Sequence, residues 1–151
     1  MSRSLVNFMS YNSTGINTIK TDWIRDLIRT CDINFFQLQE HFKQTKTLET
    51  FFKNEFPNCD SFVIPAHREI YQDSGRAKGG LAQLDSKDLD IKKERLKTKS
   101  WRLQAQVLHF GDYRIIWFNC YFPTDPLTKN FDDVELQTVL TEIENILDSS
   151  N

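Results

Sequence analysis

The stretch INFFQLQEHF, residues 33–42, runs from apolar side chains into three consecutive polar ones. The apolar part predicts a buried β-strand over residues 33–40, which puts Gln39, Glu40 and His41 at the end of that strand. A carboxylate in such a place is desolvated on one side, which costs free energy unless the group is paired, hydrogen-bonded or bound to a cation. Glu40 is therefore either a surface residue that caps a turn or pairs with a lysine, or a ligand for a cation.

The residues before this strand predict a β-α-β order. Residues 5–12 alternate loosely between apolar and polar side chains and predict a strand that ends at Asn12. Residues 21–31 place four apolar side chains on one helical face, with Thr21 as the N-cap. If the two strands are neighbours in a sheet, Asn12 and Glu40 converge at one rim. An oxygen-rich site with a single carboxylate suits Mg²⁺ that keeps several waters.

The rest of the chain predicts a mixed α/β or α+β domain. The further elements are a helix over about 45–56, an extended segment at 61–66, a polar loop at 69–80, a strand at 81–85, a hairpin of strands 102–110 and 113–122, and a helix within 131–150. The second hairpin strand is apolar enough to lie centrally in its sheet. It ends in Tyr121, so a third strand end carries a hydrogen-bonding side chain. Asp132 and Glu135 have the spacing of a capping box for the last helix.

Composition limits the class of protein. The 151 residues are 39% hydrophobic and 26% charged, which is typical of one globular domain or of part of a larger one. The net charge of −2 does not suggest nucleic-acid binding over the whole surface. Three widely spaced cysteines indicate neither a disulfide framework nor a structural zinc site, and no segment has the length of a signal sequence or a membrane span. We expect a soluble, intracellular protein, cytoplasmic or nuclear, with no membrane partner.

Four segments, in order and in spacing, resemble the first half of the endonuclease/exonuclease/phosphatase superfamily. They are MSYNSTGI (9–16), DINFFQLQEHF (32–42), GRAKGGLAQL (75–84) and NCYFPTDP (119–126). The third is most similar to the endonuclease domain of LINE-type (non-LTR) retrotransposons. The resemblance implies a DNase I-like two-sheet sandwich with outer helices, and hydrolysis of a phosphoester by an activated water.

The resemblance also implies roles for three residues. Glu40 would ligate Mg²⁺ (or Mn²⁺), Asn12 would orient the catalytic cluster, and Tyr121 would contact the scissile phosphate of DNA. Thr124 stands where abasic-site endonucleases carry an asparagine, which argues against specificity for abasic sites.

Two motifs of the family are absent from residues 1–151. The G-D-x-N motif supplies the aspartate that activates water, and the S-D-H motif supplies a histidine that contacts the phosphate; the sequence contains neither. The resemblance thus implies a partial domain, inactive as this fragment, whose remainder would lie C-terminal to Asn151. Such a half should expose the region 115–118 and tend to aggregate.

Basic residues supply candidate contacts to nucleic acid. Lys93, Arg95, Lys97 and Lys99 recur at period two, so one extended segment would present four cations on one face. A solvated edge strand protected by lysines has the same pattern. Arg76 and Lys78 are further candidates for phosphate contact.

Three functional hypotheses follow. The first is the N-terminal part of a Mg²⁺-dependent DNA endonuclease of retroelement type. The second is a phosphatase or phosphodiesterase of the same superfamily that acts on another phosphoester. The third is a non-catalytic remnant that binds nucleic acid or protein.

Overall fold

The computed structural model describes residues 5–44, 47–68, 77–122 and 133–150. These residues form two β-sheets and three helices. In chain order the elements are β1 (Asn7–Asn12), α1 (Thr18–Thr30), β2 (Ile33–Gln39), α2 (Leu48–Glu55), β3 (Cys59–Ile64), β4 (Leu81–Ser86), β5 (Lys92–Leu96), β6 (Leu103–Phe110), β7 (Tyr113–Cys120) and α3 (Asp133–Ser149).

The first sheet has the strand order β1-β2-β4-β3. β1 and β2 are parallel neighbours, as the β-α-β pattern predicts, and Asn12 lies opposite Gln39. Phe36 and Leu38 of β2 belong to a buried cluster with Ile24 of α1 and Phe52 of α2. Burial of each such side chain stabilises the fold by roughly 1.5–3 kcal/mol, so the helices are held on one face of this sheet.

The second sheet has the order β5-β6-β7 and is antiparallel throughout. Gln104 and Gln106 of β6 reach the first sheet, whereas Val107 of β6 lines a pocket with Leu147 of α3, a helix whose Val139 is fully buried. The Glu142 carboxylate of α3 accepts hydrogen bonds from the backbone N–H groups of Lys99 (2.5 Å) and Ser100 (3.1 Å). The layers are thus helices, sheet, sheet and helix, and the α+β sandwich with outer helices is confirmed.

Polar side chains fill much of the space between the two sheets. Gln37 donates to the Phe118 carbonyl oxygen (2.7 Å), and Gln104 donates to the Phe62 carbonyl oxygen (2.7 Å). Asn119 is completely buried between them. Because buried polar groups must be hydrogen-bonded, this layer fixes how one sheet sits on the other.

Three predictions about individual elements are wrong. α1 begins at Thr18, because the side chain of Asn17 accepts from the Lys20 N–H (2.9 Å) and acts as the N-cap; Thr21 lies inside the helix, where its hydroxyl donates to the Asn17 carbonyl oxygen. β7 is an edge strand of its described sheet rather than a central one. The extended basic segment ends at Leu96.

One further prediction is met in part, and two concern residues that lie largely outside the described part of the chain. In the region 115–118, Ile115 is 42% exposed, whereas Trp117 is half-buried: its ring stacks on Phe8, with the ring centres 4.1 Å apart, and packs at a tilt against Phe35, with the centres 5.5 Å apart. The capping box at Asp132 and most of the polar loop 69–80 fall outside the described residues. No helix among the described residues combines the length and the hydropathy needed to cross a membrane.

Candidate active site

Glu40 follows β2 directly, in a left-handed backbone conformation with φ of 57°. The segment after β1 holds it there. The hydroxyl of the buried Ser13 lies 3.0 Å from the carbonyl oxygens of both Gln39 and Glu40, which share its one proton, and the Gly15 N–H donates to the Glu40 carbonyl oxygen at 2.6 Å. A left-handed conformation costs a non-glycine residue roughly 1–2 kcal/mol. These hydrogen bonds offset that cost and fix the place where the Glu40 side chain leaves the main chain.

Asn12 and Tyr121 line the same cleft. It has a volume of about 380 Å³ and lies between β1 of the first sheet and β7 of the second. Its lining comprises Ser10, Asn12, Gln37, Gln39, Phe118, Cys120, Tyr121 and Phe122. The Oδ1 atom of Asn12 accepts a hydrogen bond from the Thr14 N–H (3.1 Å), and Asn12 is otherwise exposed. The fold therefore brings together two of the polar strand ends, and the third, Glu40, follows the cleft residue Gln39.

The phenol of Tyr121 is electrostatically coupled to Glu40. Burial raises the pKa of Tyr121, and the negative charge of Glu40 raises it further, while the Arg102 guanidinium acts in the opposite direction. The phenol therefore stays protonated well above neutral pH. It can donate a hydrogen bond to an anionic oxygen in the cleft.

Arg102 links this phenol to α3, a role that no local sequence pattern indicates. It is only 8% exposed, and its guanidinium lies 4.9 Å from the centre of the Tyr121 ring. An Nη2 atom of Arg102 is 2.8 Å from the Glu135 carboxylate of α3. Its Nε atom is buried and has no hydrogen-bond partner among the described residues. In the sequence, an arginine at the start of a predicted strand has the features of a surface cation, so only the folded chain identifies its role.

Gly79 and Gly80 allow the main chain to pass close to the rings of Trp101, Tyr121 and His41. Both have positive φ, 71° and 90°. A Cβ on Gly79 would lie 2.7 Å from Trp101 and 3.2 Å from Tyr121, and a Cβ on Gly80 would lie 2.5 Å from the His41 ring. The two glycines of the GRAKGG segment are thus required by the close packing of three rings.

Asn119 is a second residue of this region that the sequence did not single out. Its Oδ1 accepts from Gln39 (2.6 Å), and its Nδ2 lies 3.1 Å from both the Ala82 carbonyl oxygen and the Gln104 Oε1, and 3.3 Å from the Leu38 carbonyl oxygen. It therefore supports the cleft residue Gln39 from behind. The signal that could have found it is the set of period-two glutamines in QLQ (37–39) and QAQ (104–106), which places amides on buried strands.

The basic candidates are not brought together on one face. Lys93 is largely buried and pairs with Asp60 (2.9 Å), and Arg95 donates to the Ser61 carbonyl oxygen (2.8 Å) and lies over the Phe62 ring. Lys97 and Lys99 are exposed but follow the end of β5. Lys78 is exposed next to the glycine pair, and Arg76 lies outside the described residues. The prediction of one continuous strand with four exposed cations is therefore wrong, because Lys93 and Arg95 contact the first sheet.

The donor set at the rim fits a hard divalent cation. Within the part of the chain that the structure describes, no lysine or arginine forms an ion pair with the Glu40 carboxylate. The same residues contain no cluster of three or more His, Cys, Asp or Glu side chains that could hold a metal ion. A site with a single carboxylate ligand suits Mg²⁺ that keeps several waters, and it is a poor site for zinc.

Three solved structures share this architecture. The chain aligns with the crystal structure of the AP endonuclease LMAP from Leishmania major at a TM-score of 0.60 and 15% identity, over 78% of this chain and 40% of that one. It aligns with the endonuclease domain of TRAS1, a telomere-specific non-LTR retrotransposon, at 0.57 and 12%, over 93% and 53%. It aligns with truncated Caenorhabditis elegans TDP2 at 0.59 and 14%, over 97% and 57%.

These likenesses show the fold. All three structures have a DNase I-like fold, so the architecture that the motif resemblance implies is confirmed. No protein-family model and no curated protein sequence matches the chain. The chain spans between 40% and 57% of the length of these structures.

Proposed function

We propose that this chain supplies the metal-binding part of a phosphodiesterase site that acts on DNA, as in an endonuclease of retroelement type. The observation that carries the proposal is that two polar strand ends line one cleft and that the charge of the third acts on one of them. Asn12 and Tyr121 line one cleft, and the Glu40 charge acts on the Tyr121 phenol. Two of the similar structures are described as endonucleases, and one of these belongs to a non-LTR retrotransposon.

Each residue has a distinct part in this proposal. Glu40 holds Mg²⁺ (or Mn²⁺), and Asn12 fixes the loop next to it through its hydrogen bond with Thr14. A divalent cation at Glu40 supplies polarisation of a phosphoryl oxygen and stabilisation of the leaving oxyanion. Tyr121 keeps its proton and donates it in a hydrogen bond to a non-bridging oxygen of the phosphate.

The proposed site is incomplete within residues 1–151. The sequence contains neither a G-D-x-N nor an S-D-H motif, so it lacks the aspartate and the histidine that the family resemblance assigns to water activation and phosphate contact. We propose that a remainder of the domain, C-terminal to Asn151, supplies both groups and packs against β1 and β7, the strands that flank the cleft. We therefore expect no nicking of DNA by the 151-residue chain alone.

Metal binding is tested through thermal stability. Binding to the native state alone raises its stability by about 0.4 kcal/mol when the metal concentration equals Kd, which corresponds to a rise in Tm of about 1–2 °C for a chain of this size. We expect a rise of this order in wild type at several millimolar Mg²⁺ or Mn²⁺, followed by differential scanning fluorimetry. Glu40→Gln should abolish it.

The matched control is Glu144→Gln, which removes an exposed carboxylate from α3. This variant should keep the wild-type response to metal. An unchanged Tm in wild type, or an equal rise in Glu40→Gln, would rule out the metal site.

A non-catalytic DNA-binding module is the second candidate, because the two motifs are absent from these residues. DNA binding that weakens with salt, survives Glu40→Gln and needs no metal would favour this module.

A further inference from the structure

His67 and Trp101 form an exposed aromatic pair outside the residues assigned above. Their ring centres are 4.9 Å apart and their planes differ by only 14°, so the rings are stacked in parallel. His67 is exposed, whereas Trp101 is half-buried beneath it. The pair thus presents a flat aromatic face at the surface.

The pair is rigidly supported from below. Trp101 packs directly on Gly79, where a Cβ would approach it to 2.7 Å. The Arg102 guanidinium lies 4.0 Å from the centre of the Trp101 ring, which is a cation–π geometry. Two backbone hydrogen bonds of 2.8 and 2.9 Å join His67 to Lys78. A surface that is ordered before a ligand arrives loses little entropy on binding it.

The pair also lies next to the proposed phosphate contact. The Trp101 ring centre is 6.0 Å from that of Tyr121, and both rings rest on Gly79. Lys78 is exposed on the same segment and adds a positive charge beside His67. An aromatic face, a cation and a neutral phenol therefore stand side by side, and these groups match the base and the phosphates of one nucleic-acid strand.

We propose that the His67–Trp101 pair is a stacking platform for an unpaired nucleobase of the DNA strand whose phosphate lies at Tyr121. This inference rests on the proposed function and narrows its substrate class to single-stranded or locally unpaired DNA. A base buried in a duplex has both faces covered by its neighbours, so only an extruded or unpaired base can stack on the imidazole face. Stacking on an aromatic side chain tolerates any base, so the platform selects for strand state rather than for sequence.

The test compares two oligomers that differ only in their bases. Fluorescein-labelled oligothymidylate of about eight nucleotides and an abasic tetrahydrofuran oligomer of the same length carry the same phosphates. Their affinities for the 151-residue chain are measured by fluorescence anisotropy in EDTA, so the result does not depend on a metal at Glu40. We expect wild type to prefer oligothymidylate by roughly 5- to 160-fold, the range found for stacking of one base on an aromatic side chain.

Variants of His67 identify the platform, because His67 is exposed and its replacement leaves the packing of Trp101 on Gly79 in place. His67→Ala should remove most of the preference for oligothymidylate, and His67→Phe should retain it because the flat ring is kept. Tyr113→Ala, which removes a 78% exposed aromatic ring at the other end of β7, should behave as wild type.

Three results would overturn the inference. They are equal affinity of wild type for the two oligomers, a preference that survives His67→Ala, and no binding of either oligomer. A clear preference for oligothymidylate together with no metal-dependent rise in Tm would support the stacking platform and contradict the metal site. The two tests therefore distinguish failure of this inference from failure of the proposed function.

Discussion

At the scale of single residues, His41 shows how the rim of the site is built from a neutral imidazole. Its Nδ1 accepts from the Lys43 N–H (3.0 Å), so its Nε2 carries the proton and donates to the Ile64 carbonyl oxygen (3.1 Å). The ring is 1% exposed and lies edge-on against Phe52. Burial lowers the pKa of His41 to about 4.

This pKa predicts a specific loss of stability in mild acid. The unfolded chain binds a proton at His41 below a pH of about 6.5 and the folded chain only near 4, so stability falls as pH drops through this interval, by roughly 3 kcal/mol in total. Urea denaturation at pH 7 and pH 4.5 measures the effect. We expect wild type to lose about 2 kcal/mol more than His41→Gln over that range. Equal losses in the two proteins would contradict the assignment.

The polar residues of the rim can be recognised in the sequence, but the residues that hold them in place cannot. Glu40, Asn12 and Tyr121 stand out because a polar group at the end of an apolar strand is visible in one dimension. Arg102 and the paired contacts of Gly79 and Gly80 depend on segments that are distant in the chain, so no local pattern reveals them. The left-handed φ of Glu40 is set by hydrogen bonds from Ser13, 27 residues earlier.

At the scale of elements, the sheets are joined by amides as much as by apolar side chains. Gln106 donates to both oxygens of Asp85 (3.0 and 3.1 Å), a carboxyl whose pKa is raised, chiefly by burial. Asn119 on β7 reaches β2, β4 and β6. A polar layer of this kind defines one register between the sheets, which an apolar layer would leave less specified.

Asn119→Ala should therefore destabilise the protein far more than loss of one polar side chain at the surface. It removes the partner of Gln39 and Gln104 and leaves buried amide groups unsatisfied, at roughly 1–3 kcal/mol for each. We expect a loss of about 3 kcal/mol or more in the free energy of unfolding, measured in urea. Asn145→Ala on the exposed face of α3 is the control and should stay within about 0.5 kcal/mol of wild type. Similar values for both variants would show that the amide layer contributes little.

Sequence patterns predicted whether a segment forms a helix or a strand better than they predicted which strands are adjacent in a sheet. The hairpin of β6 and β7 follows from two apolar runs around Gly111-Asp112, and the parallel pair of β1 and β2 follows from the intervening helix. The edge position of β7 could not be predicted, because its apolar side chains are covered by aromatic stacking of Trp117 on Phe8 rather than by a further strand. The period-two pattern of basic residues predicted an exposed Lys93, but Lys93 forms an ion pair with Asp60 of the other sheet.

At the scale of the whole molecule, the cleft lies between two sheet edges. β1 is the edge of the first described sheet, and β7 is the edge of the second. Phe8 and Ile115 on these strands are 41% and 42% exposed. Edge strands with exposed apolar side chains are templates for pairing with another chain, and soluble proteins usually protect them with charge or with a covering segment. The proposed remainder of the domain would be such a cover.

We therefore expect the 151-residue chain to self-associate through these edges as its concentration rises. Ile115→Lys puts a charge on the β7 edge and should shift the sedimentation profile towards monomer, because pairing would then bury an unpaired ammonium group. Ile19→Lys makes the same replacement at a 79% exposed position on α1, outside both edge strands, and should leave the profile of wild type unchanged. A monomeric wild type at all concentrations, or an equal effect of the two lysines, would show that the edges are not the associating surface. If Ile115→Lys alone restores the monomer, the β7 edge is the associating surface, and it is the part of this fold that a covering segment would protect.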